Sequence, residues 1–202
     1  AAGTATITAK NSDGTVTAKA VITVKNVAVT KVKTSASKAT LAVGKTKTLK
    51  ATVSPSNATN KAVTWTSSNK KVAKVSSKGK VTAVAPGTAT ITVTTKDGKF
   101  KAKTVINVKP KSTSFTLTAK KNSVVIKYKK VSGVTGYQIY RAKSKNGTFK
   151  KITTRAQKKT GKYTSVRLSS KHTYYYKIRT YKTVNGKKIY SSFSAVKKIK
   201  TK

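Results

Sequence analysis

The chain has 202 residues, with 46 Lys plus Arg against 2 Asp plus Glu, one His, one Trp and neither Cys nor Met, for a formal charge of +44. This composition excludes disulfides and thiolate metal sites, the carboxylate pair of a glycosidase, an acid-rich calcium site, and a zinc site or triad built on His172, the sole His. No P-loop or dinucleotide fingerprint occurs and no apolar run approaches the ~18 residues of a membrane span, so the sequence predicts a non-enzyme with no catalytic residue, cofactor, metal or transmembrane segment.

Such a charge warns of disorder, but periodic apolar residues along the chain oppose that reading. Residues 1–24, AAGTATITAKNSDGTVTAKAVITV, align without a gap on residues 85–108, APGTATITVTTKDGKFKAKTVINV, with 14 of 24 positions identical at an offset of 84. Both of the chain's acids fall inside this repeat: Asp13 aligns with Asp97, and Gly14 with Gly98. Each Asp-Gly pair separates two runs of Thr, Val and Ile that alternate with period two, the pattern of a hairpin. Gly accepts positive φ without steric cost, and Asp tolerates αL while bonding its own backbone. Asp13, Gly14, Asp97 and Gly98 are therefore expected to serve backbone geometry rather than chemistry. The repeat predicts that residues 1–27 are the C-terminal hairpin of a truncated domain, to be completed by a neighbouring domain or chain. The lack of Met reads Ala1 as a processed or internal start in a longer tandem array.

Residues 28–109 contain short alternating strands about every ten residues. The turn signals VGKT, SPSN, SSNKK, SSKGK, APGT and KDGK separate them, and nothing has helical period. In AVTWTS, Trp65 alternates with Val63, so it is expected inward, as core rather than as a ligand platform. The stretches LAVGKTKTLKATVSPSNAT and VTWTSSNKKVAKVSSKGKVTAVAPGTATITVT resemble the bacterial immunoglobulin-like domain, group 2. The resemblance implies an extracellular sandwich module, usually in tandem on bacterial surface proteins and without catalysis. Ser77 and Lys78 stand where relatives often carry an acid.

A new pattern begins after Pro110, and all nine tyrosines lie at or after Tyr128. Strands are predicted at SFTLTAK, SVVIKYK, GYQIYRA, FKKITT, KYTSVRL, HTYYYKIRTYK and SAVKKIK, with Asn146-Gly147 and Asn185-Gly186 as hairpin turns. The segment KVSGVTGYQIYRAKSKNGTFKKI and the later TYYYKIRTYKTVNGKKIYSSFS resemble a fibronectin type III domain of clostridial secreted proteins, covering residues 111–202. The resemblance implies that Tyr174, six residues after Leu168, is a tyrosine corner whose hydroxyl bonds backbone. Tyr128 replaces the family's core Trp, and Ser165 stands where relatives often have Asp. Alternation from Tyr174 turns Tyr174, Tyr176 and Ile178 inward. It turns Tyr175, Lys177, Arg179 and Tyr181 outward, as a candidate polyanion-binding strip or as a plain solvated sheet face.

The expected architecture is all-β: tandem immunoglobulin-like antiparallel β-sandwiches, with units at 1–27, 28–109 and 110–202. Residues 28–109 hold 17 Lys with one acid, and 110–202 hold 22 Lys and 4 Arg with none. Such a coat attracts extended polyanions through counterion release, with steep salt dependence. The scarcity of Arg argues against bidentate base or phosphate reading. Three functions follow as expectations for a protein on a bacterial surface or secreted from the cell. One is an adhesion module for teichoic acid, capsule, or sulfated or sialylated glycans. The second is a spacer or assembly unit of a filament, secreted protein or phage appendage, and the third is a binder of extracellular DNA in a biofilm.

Overall fold

The computed structural model describes residues 2–158 and 161–202. Among them every regular element is a strand. Three bodies follow one another along the chain.

The first is a lone hairpin. Strands β1 (Gly3–Lys10) and β2 (Thr17–Val24) pair antiparallel from Gly3↔Val24 to Lys10↔Thr17 and form a sheet of two strands. Thr, Ala, Val and Ile alternate in both, which suits a pleated ribbon. Every residue from 2 to 26 is exposed, so the ribbon has no core of its own.

The second body is a complete sandwich. It comprises β3 (Lys31–Thr34), β4 (Lys38–Ala42), β5 (Thr46–Thr48), β6 (Ala51–Ser54), β7 (Val63–Ser67), β8 (Ala73–Val75), β9 (Lys80–Ala83), β10 (Gly87–Thr95) and β11 (Lys101–Lys109). One sheet has the order β4-β11-β10-β7, and β5-β9-β8 and β3-β6 oppose it. Pairing is antiparallel except for β4, which runs parallel to β11 from Lys38↔Val105 to Ala42↔Lys109, so this sandwich is not purely antiparallel as expected. Period-two alternation drives the packing: Ala89 and Ile91 of β10 and Ile106 and Val108 of β11 are buried against Leu49, Ala73 and Val81, and Val93 is buried opposite Trp65. Trp65 packs against this cluster half-buried rather than fully inside. It lies beside Gly79, whose positive φ of 76° is the kind of backbone that favours glycine.

The third body comprises β12 (Phe115–Lys120), β13 (Ser123–Tyr128), β14 (Gly136–Ala142), β15 (Lys150–Ala156), β16 (Lys162–Ser165), β17 (Thr173–Val184), β18 (Lys187–Tyr190) and β19 (Lys197–Lys200). Its sheets have the orders β12-β13-β16 and β15-β14-β17-β18, with β19 also on β17. Between them lie Val124, Ile126, Tyr137, Ile139, Tyr176 and Ile178, all at or below 1% exposure.

Two Asn-Gly turns were expected here, and they differ. Asn185 (φ 48°) and Gly186 (φ 75°) both take the left-handed region and join β17 to β18 with Val184 opposite Lys187. Asn146-Gly147 has neither residue at positive φ and sits inside a longer loop closed by Gly147 N–H donating to the Ser144 carbonyl (3.4 Å).

Candidate functional site

The last strand of the third body is broken. Its two pieces, β18 and β19, pair with opposite ends of β17, and residues 191–196 bow out between them. The main-chain partners lost in the bow are replaced by two serines: Thr180 N–H donates to Ser191 Oγ and Ile178 N–H to Ser194 Oγ, both at 3.0 Å. The bow carries Phe193 over the outer face of β17. The hairpin prediction found β18 only as the far side of Asn185-Gly186, and no periodicity signals a strand that two hydroxyls interrupt.

On that outer face a cation–aromatic stack forms. The Arg179 guanidinium lies 3.9 Å from the Tyr190 ring centroid, 4.8 Å from that of Phe193 and 5.3 Å from that of Tyr140. It also donates to Gln138 Oε1 (3.0 Å) and to Tyr140 Oη (2.8 Å). Lys177 Nζ sits 4.2 Å from the Phe149 centroid and 4.4 Å from that of Phe193. Ring faces attract these cations at about 0.5–2 kcal/mol per contact. With no acid in residues 110–202, aromatic faces and neutral oxygens are what can hold them.

The predicted strip Tyr175, Lys177, Arg179, Tyr181 therefore does not stand free. Tyr175 is half-buried, Lys177 and Arg179 are half-buried and engaged, and Tyr181 is 7% exposed. Tyr181 departs from its expected exposure because it lies over Gly136, directly opposite on β14, where a Cβ would come within 3.0 Å of its ring. Tyr190 and the Lys188 ammonium cover it further.

On the inner side, Tyr174 is 5% exposed and its hydroxyl accepts from Ser169 N–H (3.0 Å). Burial opposes ionisation of Tyr174, but the Ser169 bonding together with the charges of Arg141 and Lys143 outweighs it and leaves the pKa below its ordinary value. Burial raises the pKa of Tyr128 and Tyr176. Arg141 rests 5.4 Å from the Tyr174 ring centroid and donates to the buried Ser165 hydroxyl (3.1 Å).

Beside the bow, a groove of about 580 Å³ opens between residues 111–115, the end of β13 and the bow itself. Its walls carry Lys111, Lys129, Lys130 and Lys197 together with Phe115 and Phe193, and no carboxylate lines it. A shallower depression shares Lys129 and Lys197 and adds Lys127. The volume is that of a small-ligand cleft. Converging ammonium groups with ring surfaces can hold a sulfate, phosphate or carboxylate on a polymer. Sequence reasoning missed this groove because its lysines come from three separated segments.

The two acids occupy the β1–β2 and β10–β11 turns. Gly14 and Gly98 have φ of 72° and 69°, while neither Asp takes the left-handed region; the second such residue in the later turn is Lys99. Asp97 Oδ2 accepts from Val29 N–H (3.0 Å), tying this turn to the start of its own sandwich, 68 residues earlier. Asp13 Oδ1 accepts locally from Thr15 N–H (3.0 Å) and Thr15 Oγ1 (2.6 Å), which lowers its pKa. Among the described residues no group of three His, Cys, Asp or Glu comes together as a metal site.

The model for the bacterial Ig-like domain (group 2) matches residues 28–106. Residues 28–106 are a bacterial Ig-like domain of group 2. The chain is 54% identical over 80 residues to a kappa-carrageenase of Pseudoalteromonas carrageenovora, covering 39% of this chain and 20% of that protein. It is 53% identical over 62 residues to an alpha-L-arabinofuranosidase of Bifidobacterium longum subsp. longum, covering 31% and 6%. It is 46% identical over 95 residues to the Ig-like virion protein of Serratia phage KSP90, covering 46% and 37%. The chain thus spans a minor part of each relative, and the matches to enzymes are matches to a domain. Among solved structures, titin domains A168–A170 align over 99% of this chain and 75% of their own at 12% identity and a TM-score of 0.39. The class that the sequence matches share is a surface or accessory module.

Proposed function

We propose that this protein is a non-catalytic extracellular module of a bacterial surface or secreted protein that holds anionic polysaccharide. Teichoic acid, capsule, and sulfated or sialylated glycans are the polymers it suits. The observation that carries the reading is the Lys111/Lys129/Lys130/Lys197 groove, a concave cationic site with two Phe rings and no acid in its wall. Diffuse attraction by a charge of +44 brings a polyanion to the surface. The groove is the place where that attraction acquires shape. Relatives named as carbohydrate-acting enzymes support an accessory role beside polysaccharide.

The test is binding at several salt concentrations to polymers matched in charge density: teichoic acid, heparin, sialylated glycan, dextran sulfate and duplex DNA. One polysaccharide is expected to keep micromolar affinity near about 150 mM salt, where charges more than about 8 Å apart are screened. The double substitution Lys129→Ala with Lys197→Ala is expected to remove that affinity at least tenfold. Equal loss of all five polymers along one steep slope would reject a shaped site, and a preference for DNA would reject the polysaccharide. A second reading, a spacer or assembly unit, is favoured by the bare hairpin at residues 2–26 and by the match to a virion protein.

A further inference from the structure

The β1–β2 hairpin and the β10–β11 hairpin are the same object in two states. Their registers coincide: Ala5↔Ile22 and Ile7↔Ala20 in one match Ala89↔Ile106 and Ile91↔Thr104 in the other. In the sandwich, Ala89, Ile91, Thr104, Ile106 and Val108 are all at or below 1% exposure. Their equivalents in the first hairpin include Ile7, Ile22 and Val24, exposed at 60%, 49% and 54%. In the sandwich β10 takes β7 on its free edge and β11 takes β4. Among the described residues both corresponding edges of β1–β2 are unpaired.

Three finer marks point to one occupant. Gly87 admits the close approach of Val72, where a Cβ would come within 2.9 Å, and its equivalent Gly3 keeps a similar φ with nothing within 4 Å. Asp97 binds Val29 N–H, the first buried residue of its sandwich, whereas Asp13 is bonded within its own turn, by Thr15 and Asn11. Val93 lies opposite Trp65, and its equivalent Ala9 has no such neighbour. In the sandwich the edge strands and contacts come from residues 28–84. A bare two-strand ribbon with an apolar face and two open edges is marginal in water and a template for pairing.

We infer that the β1–β2 hairpin is the docking face for an immunoglobulin-like half-unit of the kind formed by residues 28–84, which it completes as β10–β11 complete their own. The half-unit lays a β4-like strand parallel along β2 and a β7-like strand antiparallel along β1. It buries Ile7, Ile22 and Val24 and presents a backbone N–H to Asp13. Recognition rests on shape and apolar matching, since both sides are cationic. Two of the buried strand positions are smaller than in the intact sandwich: Ala9 for Val93, and Ala20 for Thr104, whose hydroxyl donates to the Ala36 carbonyl at 2.6 Å.

The experiment adds a synthetic polypeptide of residues 28–84 to the whole chain in salt above about 150 mM, which screens repulsion, and follows binding by calorimetry and by amide NMR shifts. One-to-one binding is expected, with shifts confined to residues 2–26. Ile7→Lys or Ile22→Lys should weaken it at least tenfold, and both sites are exposed enough to leave the rest of the chain folded. Ala9→Val with Ala20→Thr should tighten it severalfold, by restoring the groups that fill the intact sandwich. Equal binding by a chain that starts at residue 28 would overturn the inference, because the probe would then be acting elsewhere. Self-association of the whole chain through two hairpin faces, seen by sedimentation and not competed by the probe, would overturn it as well.

Discussion

The two hairpins share 14 of 24 residues and reach opposite ends of the burial scale. Ile91 is fully buried and Ile7 is 60% exposed, although both occupy the same place in the same register. The strand pattern fixes the ribbon, its register and which side is apolar. It does not supply what covers that side. Burying an Ile contributes about 1.5–3 kcal/mol, so the difference between the ribbons is energetic even though their local geometry is shared.

The largest expected break in this comparison comes from charge on the apolar face. Ile91→Lys should destabilise residues 28–109 by about 4 kcal/mol or more, since it buries an unpaired ammonium. Ile7→Lys should leave denaturant unfolding of both sandwiches within about 0.5 kcal/mol. Equal effects would mean that the first hairpin is covered in solution.

Next come the glycines. Gly87→Ala should cost about 1–3 kcal/mol by overpacking against Val72. Gly3→Ala meets nothing and should leave the thermal midpoint unchanged. A smaller contrast concerns the acids. Asp97→Ala leaves the N–H of buried Val29 unpaired and should cost about 1–2 kcal/mol. Asp13→Ala should leave denaturation of the sandwiches unchanged, because its partner Thr15 is local and exposed.

The smallest effect is that of acid. The pKa of Asp13 is lowered by Thr15. A lowered carboxylate contributes stability that is present above its unfolded pKa and lost as pH falls through the folded one. That loss falls on the ribbon and not on the sandwiches. Denaturant stability of the sandwiches at fixed salt should therefore change little from pH 7 to pH 3. The alkaline side differs. Tyr128 and Tyr176 have pKa values raised by burial. Their contribution is complete below the unfolded value near 10 and is lost as pH rises through the folded values. The sandwich at 110–202 should thus weaken above pH ~10, read by near-ultraviolet titration against unfolding, whereas tyrosine-free residues 28–109 should show no such loss.

Much of the fold was legible because strands write period two directly into sequence. Alternation placed the strand cores of both sandwiches, and the Asn185-Gly186 turn followed from residues that accept positive φ. The candidate site was less legible. Alternation put Lys177, Arg179 and Tyr181 on the outer face but could not foresee that Phe193, Tyr190 and Gly136 come across to that face and engage or cover them. The groove drew on Lys111, Lys129, Lys130 and Lys197, which no local window joins. The role of Asp97 was read as turn geometry because its partner, Val29, lies 68 residues away.

By itself the sequence determined the ribbon, its repeat, the strand faces and the coat of charge, since these depend on neighbours along the chain and on composition. Tertiary structure decided which apolar faces are covered, which cations are held by rings and where lysines converge. Those outcomes depend on strands far apart in sequence, and two ribbons of related sequence differ because, among the described residues, only one is paired with strands such as β4 and β7.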